Sequence, residues 1–134
     1  MDELIIAIID DDVLVRESVQ RLVRSMGFRA EQFSSEQEFL DSASLARYCC
    51  IISDVNGATG IKTRLHHRLP SIGHDIPIIF MTARLDRSTE TMLTGEGVVH
   101  VLAKPFQQIE MSQCIAAALQ RSHAARNPAL PPAG

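Results

Sequence analysis

The sequence predicts an α/β domain in which a parallel sheet is covered on both faces by helices. Three observations carry that expectation. Short apolar runs bounded by turn residues recur five times, stretches with helical spacing separate them, and the 134 residues suit one compact domain. At that length a core can form without disulfides or a structural metal.

Residues 4–9 form a continuous apolar run, as expected of a central strand buried on both faces. The helix after it draws its inner stripe from Val15, Val19, Leu22, Val23 and Met26, and Gly27 is placed to end it. Residues 28–33 are mixed in polarity, which predicts an edge strand. Ser35 followed three residues later by Glu38 is a capping-box pattern that opens a second helix ahead of Phe39 and Leu40. Residues 49–53 read as the third strand. A third helix is expected over 61–69, with Leu65 and Leu69 inward, and the turn-rich stretch 70–77 leads into a fourth strand at 78–81. Over 84–95, Ser88, Thr89, Thr91 and Thr94 are mediocre helix formers and only Leu85, Met92 and Leu93 offer apolar surface. The fourth helix is therefore expected to be weak and mobile. Residues 98–103 form the fifth strand, Pro105 suits the first turn of the last helix, and Ile109, Ile115 and Leu119 are expected on its inner face. From Ser122 the composition shifts to Ala, Pro and Asn, which divides the chain into a domain at 1–121 and an Ala/Pro-rich linker or tail at 122–134.

Hydrophobic residues at 46% and charged residues at 22% exclude wholesale disorder. With a net charge of -3 and Lys and Arg scattered along the chain, direct nucleic-acid binding is not expected. Cys49, Cys50 and Cys114 have neither disulfide nor metal spacing, so they read as core residues in a reducing, cytoplasmic setting. The apolar opening is too short for a secretory core or a membrane span, and no membrane association is expected. His66 and His67 are expected to be solvated on a polar helical face.

In an open parallel sheet, ligands bind beyond the carboxyl ends of the strands. Those ends carry Asp10, Asp11 and Asp12 after the first strand, Asp54 after the third, Thr82 and Ala83 after the fourth, and Lys104 with Pro105 after the fifth. Asp12 reads as a helix N-cap. Two carboxylates ~4 Å apart repel by about 4 kcal/mol at an effective dielectric of about 20, so the others call for a cation. Oxygen donors from few carboxylates, completed by water and phosphate, suit Mg²⁺. Beside such an ion a carboxylate can attack phosphorus and form an acyl phosphate. Lys104 can then pair with one phosphoryl oxygen while the Thr82 hydroxyl and the Ala83 amide hydrogen-bond the rest. Alone, Thr82 reads as a strand-end residue and Lys104 as a solvated amine; their coincidence with the acids gives both a role.

The run IIDDD, Asp54 closing an apolar strand, FMTA and the pair Lys104-Pro105 resemble the receiver domains of two-component response regulators, over roughly residues 4–119. The stretches VRESVQRLVRSMGF, FSSEQEFL and DIPIIFMTA look most like receivers that precede a LuxR-type helix-turn-helix output domain. The resemblance implies a doubly wound, flavodoxin-like (βα)5 domain with strand order 2-1-3-4-5 and Asp54 as phosphoacceptor. It implies Mg²⁺ bound by Asp11, Asp54 and the Asn56 carbonyl, with Asp10 acting mainly through water, and a cis Lys104–Pro105 peptide. Thr82 and position 101 are the implied switch. The implied partners are a sensor histidine kinase, a C-terminal DNA-binding output domain that regulates transcription, and a second copy on activation. Such a domain is a phosphoacceptor rather than an ordinary enzyme, although it can catalyse its own phosphorylation and dephosphorylation.

Two departures accompany these matches. After the acceptor the family usually carries Met-Pro and then Gly, whereas Gly57 and Ala58 follow Asn56 here, replacing a rigid turn with a looser one. At the position three before Lys104 the family often has Tyr or Phe, and here it is Val101, which has no ring to rotate. They motivate one alternative, a pseudo-receiver that binds partners without phosphorylation. A haloacid-dehalogenase-like phosphatase is a further alternative, since Asp-Val-Asn-Gly resembles that superfamily's nucleophile loop. That nucleophile normally follows the first strand, however, and Glu110 is the only acid beyond Lys104.

Overall fold

Period-two alternation in buried strands decides the architecture. In β1 (Ile5–Ile9) every residue is buried, yet Ile5, Ala7 and Ile9 enter one apolar cluster while Ile6 and Ile8 enter another on the opposite face. A strand that is apolar on both faces needs helices on both. In the computed structural model of the protein, which describes residues 4–42, 44–55, 63–83, 86–87, 91, 93 and 97–126, that demand is met.

The described elements run β1, α1 (Val13–Ser25), β2 (Arg29–Phe33), α2 (Glu36–Leu40), a 3-10 turn (Leu45–Arg47), β3 (Tyr48–Asp54), α3 (Leu65–Ser71), β4 (Ile78–Thr82), β5 (Val98–Ala103) and α4 (Gln108–Arg126). All strand pairs are parallel and the sheet order is β2-β1-β3-β4-β5, as expected, with the polar β2 at an edge. On one face Phe33, Phe39 and Tyr48 pack with Leu65, Leu69 and Phe80; on the other Val19 and Val23 of α1 and Met111, Cys114, Ile115 and Ala118 of α4 cover Ile6, Ile8, Ile52 and Met81. The three cysteines are buried there and form no disulfide.

Local signals placed the starts of α1 and α2 correctly. Asp12 caps α1 by accepting the Leu14 N–H at 2.9 Å, and Ser35 caps α2 by accepting the Glu38 N–H at 3.0 Å. The capping box is only half formed, because the Glu38 carboxylate accepts the Ser34 hydroxyl instead. Gly27, at φ +93°, closes α1 with its N–H donating to the Arg24 carbonyl at 3.0 Å.

Four expectations are corrected. Helix α3 starts at Leu65, after non-helical residues 63 and 64 where the helix expected over 61–69 would already run, and continues through Pro70; residues 61 and 62 lie outside the described residues. The buried Thr63 decides its start, its hydroxyl accepting the Leu65 N–H at 3.2 Å. His66 is buried edge-on to Phe80 at 5.5 Å rather than solvated, because the helix start rotates it toward the sheet. Pro105 does not open the last helix. The Glu110 carboxylate reaches back to the Gln107 N–H at 2.9 Å and α4 begins at Gln108, which leaves Ile109 57% exposed and out of phase with Ile115. Finally, α4 continues to Arg126 with Ser122 buried, so residues 122–126 extend a helix where a tail was expected. The fourth helix expected over 84–95 lies largely outside the described residues; of the few described there, Thr91 donates through Oγ1 to the Arg87 carbonyl at 2.8 Å. Among the described residues no helix is long and apolar enough to cross a membrane.

Candidate functional site

Strand register brings the predicted residues to one edge. Ile9 pairs with Ser53, Asp54 with Met81, and Thr82 with Ala103, so the carboxyl tips of β1, β3, β4 and β5 end side by side. Asp10, Asp11 and Asp54 each offer a carboxylate oxygen within 4.8 Å of the others. Lys104 Nζ donates to Asp54 Oδ1 at 3.1 Å and to Asp10 Oδ2 at 3.3 Å, and its peptide with Pro105 is cis.

Asp10 is 3% exposed, and each of its polar groups is engaged. Its N–H donates to the Phe33 carbonyl at 3.1 Å, its carbonyl accepts Arg16 Nη1 at 2.8 Å, and Oδ1 accepts the Asp12 N–H at 2.9 Å. Asp11 is exposed at the rim. Thr82 is buried at the end of β4, where its carbonyl accepts the Lys104 N–H at 2.7 Å, and Ala83 follows it, exposed. Val101 is partly buried and packs against the cluster containing Phe80 and Leu93. Asn56, with Gly57 and Ala58, lies outside the described residues. Sequence reading passed over Arg16, a polar position on an amphipathic helix whose contact with Asp10 only the folded turn creates.

Three carboxylates facing one ammonium leave an excess of two negative charges. At an effective dielectric of about 20, each like-charged pair ~5 Å apart costs roughly 3 kcal/mol, which a divalent cation offsets. The donors are hard oxygens without nitrogen or sulfur among the described residues, a set that fits Mg²⁺ with positions left for water and phosphate.

Burial pushes the Asp54 carboxyl above its ordinary range; Lys104 pulls it back, and the charges of Asp10 and Asp11 add to the rise. Burial would lower Lys104, but its hydrogen bond to Asp54 and the charges of Asp54 and Asp10 outweigh that and raise it, so it stays an ammonium at neutral pH. A carboxyl raised on folding holds its proton more tightly when folded, so stability is greatest below the ordinary carboxyl range and falls as pH rises through the folded value. Asp54→Asn is therefore expected to raise the Tm of the metal-free protein at neutral pH by a few degrees. The gap should shrink as pH falls toward the ordinary carboxyl range. Thermal melts in chelator check this, and a gap independent of pH would contradict the burial account.

Comparison with known proteins adds to this geometry. The family model described as the response regulator receiver domain matches residues 6–116. Response regulator protein TodT of Pseudomonas putida is 35% identical over 127 residues, covering 91% of this chain and 56% of TodT. Transcriptional regulatory protein FixJ of Bradyrhizobium diazoefficiens is 32% identical over 122 residues, covering 90% of this chain and 58% of FixJ. The chain thus spans a little over half the length of these curated relatives. A crystal structure of a response regulator receiver protein from Burkholderia phymatum matches with a TM-score of 0.71 at 34% identity, covering 87% of this chain and 95% of that one.

Proposed function

This chain belongs to the response regulator receiver domain family of two-component systems, and from that premise we propose that Asp54 accepts a phosphoryl group from a sensor histidine kinase in a Mg²⁺-dependent reaction. The observation that carries the reading is the Lys104 ammonium bridging Asp54 and Asp10 within a cluster of three carboxylates.

An Asp54 carboxylate oxygen attacks phosphorus, the O–P bond forms as the P–N bond of a phosphohistidine breaks, and the released imidazole takes up a proton. Burial makes this carboxylate more basic than an exposed one and so a better nucleophile. Lys104 starts on Asp54 Oδ1 and is within reach of an incoming phosphoryl oxygen, which it pairs with as charge builds. The Thr82 hydroxyl and the Ala83 N–H serve the remaining phosphoryl oxygens. Asp11 and Asp54, the Asn56 carbonyl, and Asp10 through water would hold Mg²⁺, which supplies neutralisation of phosphoryl charge when bound. The output is transcriptional, through a DNA-binding domain of a longer cytoplasmic protein, a reading supported by relatives named as response and transcriptional regulators, of which this chain covers 56% and 58%.

Incubating the protein with acetyl phosphate and measuring intact mass tests the reading. One phosphoryl group is expected with Mg²⁺ and none with chelator. A second reading, an interaction module that works without phosphate, is favoured by Val101, which already packs on the core and offers no ring to reorient. A folded protein that gains no mass with Mg²⁺ would select it.

A further inference from the structure

The Asp10 peptide is held from the edge of the sheet by two routes. Directly, its N–H donates to the carbonyl of Phe33, the last residue of β2. Indirectly, its carbonyl accepts Arg16 Nη1 at 2.8 Å, and Arg16 Nε donates to Gln32 Oε1 at 3.2 Å on the same strand. Gln32 is itself braced, its Nε2 donating to Gln20 Oε1 at 2.6 Å, while Gln20 Nε2 donates to the Ala30 carbonyl at 2.9 Å. This chain of side chains runs from α1 to β2 and ends on the turn that carries Asp10 and Asp11.

We propose that Arg16 is a positioning residue for the acidic pocket, joining the Asp10 carbonyl to Gln32 so that the β1–α1 turn is preorganised to receive a divalent cation. The inference rests on reading Asp10, Asp11 and Asp54 as that cation's site.

Two physical effects of the guanidinium oppose each other. Its positive charge, one residue's carbonyl away from a cation site, repels an incoming dication and by itself weakens binding. Its fork does the reverse. Planar donors at fixed angles can hold two acceptors at once, the Asp10 carbonyl and Gln32, which a lysine ammonium on a flexible stem does not reproduce. Asp11 gains most from this. It is exposed and sits between Asp10, whose polar groups are all engaged, and Asp12, tied down as the α1 cap. With the turn fixed in advance, little ordering remains to be done when the cation arrives. A sequence pattern cannot distinguish this Arg from the solvated Arg21 and Arg24 on the same helix, because the distinguishing partner lies on β2.

The test uses Arg16→Lys, Arg16→Met and Gln32→Leu in the full chain, with Mg²⁺ titrated into metal-free protein by NMR. Amide hydrogen exchange of Asp12, whose N–H rests on Asp10 Oδ1, is followed in chelator. Both Arg16 variants are expected to bind Mg²⁺ roughly tenfold more weakly. Gln32→Leu should weaken it less, in the same direction. Asp12 exchange should accelerate in all three while amides of β4 keep their protection, which separates a loosened turn from general unfolding. A guanidinium acting by charge alone predicts tighter binding in Arg16→Met and no change in Arg16→Lys; either result overturns the proposal, as does unchanged Asp12 exchange. A wild-type chain that binds no Mg²⁺ sinks the cation-site reading itself, whereas wild-type binding with unaltered variants sinks only the role given to Arg16.

Discussion

Replacing Asp54 with Ala is expected to abolish phosphoryl uptake from acetyl phosphate, taking intact-mass incorporation from one group to none. The expectation rests on how differently the three carboxylates are used. Asp10 has Oδ1 on the Asp12 N–H and Oδ2 on Lys104, so attack by either oxygen would break a contact that holds the turn. Asp11 is exposed and water solvates its charge, which lowers its nucleophilicity. Asp54, with its side chain 15% exposed and its carboxyl raised by burial, combines access with basicity. In Asp54→Ala the ammonium keeps Asp10 as its partner, so the fold is expected to survive and the loss to be chemical. Side-by-side mass spectra with Mg²⁺, and a circular dichroism melt showing the variant folded, check this. Phosphoryl found on the variant would place the nucleophile elsewhere.

The largest expected effect on stability comes from Phe39→Ala, at roughly 3–5 kcal/mol. Phe39 is fully buried and sits at the centre of three rings, 5.3 Å from Phe33 nearly edge-on and 5.3 Å from Tyr48. Removing it leaves a cavity between two neighbours that are themselves tied down, Phe33 in the sheet and Tyr48 through its hydroxyl, which donates to Glu31. Such a site collapses poorly, which puts the cost at the upper end. Set against a typical total of about 5–15 kcal/mol, the variant should show a much lower urea midpoint. Phe39→Leu should recover more than half of the loss. A midpoint within error of wild type would mean that the cluster does not bear on folding.

Elements whose signal is local are legible in the residue pattern. The apolar run of β1, the polar edge strand β2, the caps at Asp12 and Ser35, and the helix stop at Gly27 each depend on residues within a few positions of one another. Legibility fails where a helix start is chosen by one hydrogen bond. Thr63 at Leu65 N and Glu110 at Gln107 N decide the phases of α3 and α4, and with them the burial of His66 and the exposure of Ile109. Apolar spacing puts Ile109 inside, because periodicity reports a stripe without saying which residue begins it.

Residue order along the chain is enough to say which chemical groups stand at the strand tips, since a buried strand flanked by turn residues can end in only one place. That these groups meet is a property of the folded arrangement. Lys104 reaches acids 50 and 94 residues earlier in the chain, and Arg16 finds Gln32 across a strand boundary. Contacts at such separations follow from sheet order and register, which arise from packing both faces at once, and no local pattern encodes them.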